Sequence, residues 1–504
     1  MIGHGQLSVS GAVDLANQMK DDGLGHKAVE ALASLGCGGA YPSNCERDLF
    51  RWLSTLFGFQ LQPYVIPLKL QVDSYTPKEQ AVRVLLPHEI LHALSGHPFA
   101  FDSLIKGNMS DESRMCFWKH CRRLEGWRGH PALSSSPLDR LVPITLHNDG
   151  AQMYTDDEFC VWSVASLFGS VGLVQDPLLQ KFPFVIIAER HMRSEAVRKQ
   201  VNTTVAQLFA WSIQISMDGK APSVGFFEEE LTGYRAEIAG QQLAKGWRAC
   251  YFTTKADLKA RKIMHDFTRS YNSNLMCDSC LAACGQGCPD GMNYKNTSDH
   301  AAWRETMIDH RQYLAMPGPH SVWRCVPGWK LETLAFDLMH NIYLGTGRDL
   351  VASAIRTLVR QGVYTHVSDN METVFDHIHK EVLRDTKAYG LSLPAKPPLN
   401  DASLGGADYA ELSSKYKAIH VKVLIWWVAL KCQRCADGSP GDQVLQVLAT
   451  CCYSLQHAIE TLDSSGLVMS WASASEAADA LMLHAKSFSW LSSYFLRNVS
   501  FSFG

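Results

Sequence analysis

No apolar run in this 504-residue chain reaches the roughly 20 residues that a membrane-spanning helix needs. The start of the chain also lacks the basic residues and apolar stretch of a secretory signal. A protein of the nucleus or another intracellular compartment, with no membrane partner, is expected. Charge is scarce too: 19% of residues are charged, and the net charge is −3. That balance excludes a chain basic throughout, so nucleic acid would have to be met by local patches. Three stand out, Lys119–His130, Arg190–Lys199 and Lys255–Arg269, and each taken singly reads first as the wet face of a helix. No repeat of fixed period is present, which argues against solenoids and propellers. Fifteen cysteines spread through a chain of this length do not make a secreted disulfide scaffold.

Hydrophobic residues, at 46%, are plentiful enough for two to four cores. Residues 1–135 read as a helical region. "HKAVEALASLG" and "NCERDLFRWLSTLFGF" repeat apolar residues at three- and four-residue spacing, and Pro87 opens a short helix that ends near Gly96. Residues 136–270 change texture. "LVPITLHNDG" reads as a buried strand that ends in a turn at Asp149-Gly150, and "EFCVWSVASLFG" and "FPFVIIAERHM" read as two more strands. A helix follows, with Val197, Val201, Val205, Leu208 and Ile213 on one side, and then "GWRACYFTTKADLK" as a fourth strand. Residues 271–330 form a Cys-rich insertion, 331–382 a second part of the core, 383–408 a loop and 409–504 a helical end. The chain stops inside an apolar run and so reads as a fragment or a truncated frame. The expected class is α+β: a mixed sheet flanked by helices, in the strand, strand, strand, helix, strand order that opens a ribonuclease H-like fold.

Four motifs carry chemistry. His88-Glu89-x-x-His92 has the spacing that lets two imidazoles on one helical face share a zinc ion, with the glutamate as general base. A third ligand at the usual distance is missing: Ser95 and Pro98 stand where Gly and His belong. Asp149, before Gly150, either projects into an open site or is part of an ordinary turn. Cys277-x-x-Cys280, with Cys284, Cys288 and His300 nearby, suits tetrahedral structural zinc, or else is a set of free thiols. Cys432-x-x-Cys435 sits in a helical pattern and reads as packing. Asp337 and His340, three apart, share a helical face, as a pair that holds or orients Mg²⁺, His340 included among the ligands, or as an N-cap with a neighbour.

In order, "VPITLHNDG", "YFTTKADLK", "YNSNLMCDSCLA" and "FDLMHNIYLG" resemble the motifs of the CACTA (EnSpm-type) transposases, with "SNCERDLFRWL", "LLPHEILHAL" and "GHPAL" as a similar lead-in. The resemblance covers roughly residues 35 to 430. It implies an RNase H-like domain in which three carboxylates hold two Mg²⁺ or Mn²⁺ ions for DNA strand cleavage and transfer at transposon ends. Asp149 matches the first acidic position. Asp257 matches the second, with Ala256 in place of the usual Gly, and Asp337 matches the "D-x-x-H" segment. The glutamate expected further on has no counterpart; the nearest acid is Glu411. An active transposase that self-associates, a decayed one, and a noncatalytic DNA- or protein-binding module are the readings left open, with the zinc peptidase as a remote fourth.

Overall fold

The computed structural model describes residues 9–22, 27–41, 44–45, 48, 61–72, 76–154, 157–171, 180–285, 288, 291–368, 370–391, 398–405 and 410–498. The chain is α+β and forms two compact units. The first comprises Met1–Ala256, Ile263–Asp266 and Pro317–Ala335; the second comprises Asp257–Lys262, Phe267–Met316 and Phe336–Gly504.

The first unit opens with helices α1 (Val9–Asp21) and α2 (Lys27–Gly38). The helix expected over "NCERDLFRWLSTLFGF" lies mostly outside the described residues. An antiparallel hairpin follows, β1 (Tyr64–Leu70) with β2 (Lys78–Val84), in a region expected to be mostly helical. Its period-two signal is clear in retrospect, since Tyr64, Ile66, Leu68 and Leu70 are buried and the residues between them exposed. Pro67 speaks against a central strand, but a two-stranded ribbon has edges on which proline is tolerated. Helix α3 (Pro87–Ser95) starts on its proline and stops at Gly96, as the sequence suggests. Helix α4 (Asp111–Cys121) is capped by Ser110, whose Oγ accepts the Ser113 N–H at 3.1 Å. On α4, the fully buried Trp118 donates its indole N–H to the Leu141 carbonyl at 3.0 Å, tying this helix to the start of the main sheet.

That sheet has the strand order β5-β4-β3-β6-β7, where β3 is Leu141–Tyr154, β4 Asp157–Ser166, β5 Phe182–Ala188, β6 Arg248–Ala256 and β7 Leu334–Phe336. Strand β4 runs antiparallel to both β3 and β5, and β6 runs parallel to β3. The parallel step from β5 side to β6 is made through helix α5 (Glu195–Asp218). Ser194 caps α5, its Oγ accepting the Val197 N–H at 3.3 Å, and Gly219 ends it at φ 68°. The five apolar residues read as one side of this helix are all buried. One expectation fails. Asp149-Gly150 is not a turn: β3 continues to Tyr154, and Gly150 pairs with Cys160 of β4. The strand persists because β4 follows after a two-residue connection and keeps its backbone groups paired.

Gly328, in the first unit, sits at φ +87°, and a β-carbon there would stand 1.8 Å from His130 Nε2. His130 is buried and stacked on Trp127 with ring centroids 4.5 Å apart, so it has little room to withdraw. Gly328→Ala is expected to lower the melting temperature. The left-handed backbone alone costs about 1–2 kcal/mol, and displacement of the imidazole adds to it. A thermal melt followed by circular dichroism measures this; an unchanged midpoint would contradict it.

In the second unit, α6 (Leu258–His265, through Lys262) follows β6 directly. The helices α7 (Gly347–Arg360), α8 (Met371–Ala388), α9 (Ala418–Gly438), α10 (Gln443–Ser464) and α11 (Trp471–Asn498) come later. Leu350, Ile355, Leu358, Ile378, Leu424 and Trp427 lie at the centre of their shared core. Buried Glu381 is satisfied by Lys431 Nζ at 2.7 Å and by the Tyr364 hydroxyl at 3.0 Å. Helix α8 takes up the first residues of the loop expected over 383–408; parts of the remainder (392–397, 406–408) lie outside the described residues. Cys432 is buried on α9, with the Cys452 thiol 3.9 Å away, which is packing as expected. Among the described residues no helix is long and apolar enough to cross a membrane.

Candidate metal centre

The centre is built at the end of β6. In the parallel pairing, His147 lies beside Lys255 and Asn148 beside Ala256. Asp257 comes directly after β6, where the chain enters α6. Side chains two apart on a strand share a face, so His147 lies on the Asp149 face. Asp257 is also the helix cap: its Oδ1 accepts the Ala260 N–H at 2.5 Å, which leaves Oδ2 for another partner.

The chain from β7 supplies the third group. Asp337 Oδ1 accepts the Met339 N–H at 2.9 Å, and Oδ2 meets His340 Nδ1 at 2.8 Å. A carboxylate on one ring nitrogen is an arrangement common behind metal-bound histidines. Asp149, Asp257 and His340 each offer one ligand atom, and these atoms lie within 4.8 Å of one another. All three side chains are half-buried.

Two of the three expected carboxylates therefore come together. Asp337 is not in the group; His340, also expected at the metal, is, and Asp337 meets its Nδ1. Glu411 is engaged elsewhere, 2.9 Å from Arg348. Two carboxylates and an imidazole suit a divalent ion, with the oxygens fitting Mg²⁺ or Mn²⁺ and the nitrogen tilting the set towards Mn²⁺. Asp337→Asn is expected to weaken Mn²⁺ binding about 10- to 100-fold, as loss of a carboxylate behind a ligating histidine does. Calorimetric titration of Mn²⁺ into both proteins measures this, and equal affinities would remove Asp337 from the centre.

The zinc expectation meets a different arrangement. Cys277, Cys280, Cys284, Cys288 and His300 do not bring three ligand atoms within 4.8 Å, and among the described residues the Asp149 group alone does so. Cys284 turns its thiol to the Ser273 carbonyl, and His300 is exposed. Cys277 donates to Cys280, which lowers the Cys280 thiol to about 6, with Arg269 adding to the effect. What orders this segment is arginine. Arg261 forms a two-pronged pair with Asp278 at 2.5 and 3.0 Å. Arg269 donates to the carbonyls of Cys277, Cys280 and Ala282 at 2.7–3.1 Å. A loop without regular structure has unpaired carbonyls that need donors, and these guanidiniums meet the need. The patch Lys255–Arg269 is therefore not simply a wet helix face. In Lys119–His130, by contrast, Lys119, Arg122, Arg123 and Arg128 are exposed. In Arg190–Lys199, Lys199 pairs with Glu195 at 2.9 Å and Asp266 at 3.3 Å.

The His88-Glu89-x-x-His92 motif lies on α3 as expected, but His88 Nδ1, the Glu89 carboxylate and both His92 nitrogens have partners. His88 Nδ1 is 2.8 Å from Ser212 Oγ, and burial holds His88 neutral, down to about 3. Glu89 pairs with Arg235 at 2.6 and 2.9 Å. His92 Nδ1 accepts the Ala244 N–H and Nε2 meets the Tyr234 hydroxyl, both at 2.9 Å. A catalytic zinc on this helix would have to break these contacts.

Comparison of the chain with family models, with curated proteins and with solved structures gives no match.

Proposed function

We propose that the chain is a transposase-derived protein with an RNase H-like sheet and a divalent-metal centre for DNA strand cleavage and transfer. The observation that carries this reading is the group Asp149, Asp257 and His340, whose ligand atoms lie within 4.8 Å of one another. The strand order β5-β4-β3-β6-β7, with β4 antiparallel to its neighbours, supports the RNase H-like assignment. Asp149 and Asp257 supply the negative charge that binds the ion, and Asp337 holds the His340 proton on Nδ1. Bound metal supplies Lewis-acid activation of an oxygen nucleophile and neutralises charge at the phosphodiester. With a net charge of −3, binding to DNA backbone should weaken steeply with salt.

A second reading has its own support. The group holds two carboxylates, not three, and that favours a noncatalytic DNA- or protein-binding module that retains the fold. Nicking of supercoiled DNA in Mn²⁺ or Mg²⁺ separates the two. Metal-dependent nicking by the purified chain supports the enzyme; its absence in both metals leaves the binding module.

A further inference from the structure

The residues of the His88-Glu89-x-x-His92 motif are left over from the proposed function, yet they wall a cleft of about 390 Å³ in the first unit. That is near the small end of the roughly 300–1,000 Å³ range of ligand pockets. We infer that this cleft is a binding site for an uncharged, mostly apolar small molecule that carries one hydrogen-bond acceptor, which the Tyr234 hydroxyl engages.

The donor is set up by a relay. Ala244 and Lys245 adopt left-handed backbone, φ 49° and 52°, which is uncommon outside glycine. The Ala244 N–H reaches His92 Nδ1, so that nitrogen accepts and the ring proton sits on Nε2. Nε2–H then donates to the Tyr234 oxygen at 2.9 Å. Burial, together with Glu89 and Glu237, raises the Tyr234 pKa and keeps the phenol protonated. Its own O–H proton finds no acceptor among the described residues and is available to a ligand in the cleft.

The walls decide the charge of the ligand. Glu89 and Arg235 neutralise each other in a two-pronged pair, and Arg235 also donates to the Gln62 carbonyl at 2.7 Å. His88 is neutral, and burial depresses the His92 pKa as well. No free charge among these groups repays the desolvation of an ionic ligand. Trp211, Leu231, Ile238 and Leu243 supply the apolar lining.

The test uses 6-acetyl-2-(dimethylamino)naphthalene, a neutral aromatic ketone whose emission reports polarity, titrated into the full chain. Saturable binding with blue-shifted emission is expected. Tyr234→Phe, which removes only the O–H, should weaken binding about 3- to 10-fold. Ala93→Phe, on the cleft wall, should weaken it further by filling the space. Circular dichroism confirms that both variants are folded; Tyr234 is 47% exposed, so its variant loses no core packing. The anionic analogue, 6-(dimethylamino)-2-naphthoate, should bind at least 10-fold more weakly than the ketone. No saturable binding to the wild type, unchanged binding in both variants, or equal affinity for the anion would each overturn the assignment.

Discussion

Asp149→Ala is expected to reduce metal-dependent DNA nicking by about 1,000-fold or more. Asp149 provides one of three ligand atoms in the group, and one of its two negative charges. An ion at such a site contributes several kcal/mol of transition-state stabilisation, and about 4 kcal/mol corresponds to 1,000-fold in rate. Asp149→Asn should behave almost as badly: its amide keeps the shape but loses the charge. Neither change should unfold the protein, because the side chain is half-buried and β3 is held by backbone pairing to β4 on that stretch. Gel assays of supercoiled plasmid in Mn²⁺, with circular dichroism of each variant, read both quantities. Nicking at the wild-type rate by Asp149→Ala would end the catalytic proposal.

The largest stability loss is expected at Arg261. Its side chain is 2% exposed and that of its partner Asp278 is 9% exposed. Removal of one member of a buried pair strands the other charge, at a cost of about 3–5 kcal/mol. Arg261→Met keeps much of the aliphatic volume, and so isolates the charge effect. The urea midpoint of the variant should fall, and amide protons over residues 277–282 should exchange faster, since Arg261 also reaches Ser279 Oγ at 3.0 Å. The double variant Arg261→Met/Asp278→Leu should recover most of the loss, because both buried charges are then gone. If the single variant unfolds at the wild-type midpoint, the pair contributes little and the carbonyl contacts of Arg269 order the segment instead.

Much of the architecture was legible from local pattern. The order of strands and of α5 in the main sheet follows from apolar periodicity, and α3 follows from its proline and glycine. The hairpin β1–β2 was not read from the sequence, although Tyr64–Leu70 alternates between buried and exposed residues. The turn expected at Asp149-Gly150 was displaced because Asp-Gly is read as a turn only when nothing across the sheet pairs with it, and Cys160 does. For the candidate metal centre, Asp149, Asp257, Asp337 and His340 were all named from sequence; the ligand atoms of three of them lie within 4.8 Å of one another, and Asp337 meets His340. Two groups three apart on one turn are neighbours, and spacing does not say which of them faces the partner.

The amino-acid sequence by itself determined what depends on near neighbours: which segments form strands and helices, where caps and breaks fall, and which residues carry metal-binding or donor chemistry. Tertiary structure alone decided which of these meet. The ligand atoms of Asp149, Asp257 and His340, residues far apart in the chain, lie within 4.8 Å of one another, and Asp337 meets His340 at Nδ1. The folded first unit likewise turned a zinc-like motif on α3 into a cleft wall, by bringing Ser212, Arg235 and Ala244 to its polar atoms. Periodicity is a property of a dozen consecutive residues, whereas register and partner choice are settled only when distant segments close on one another.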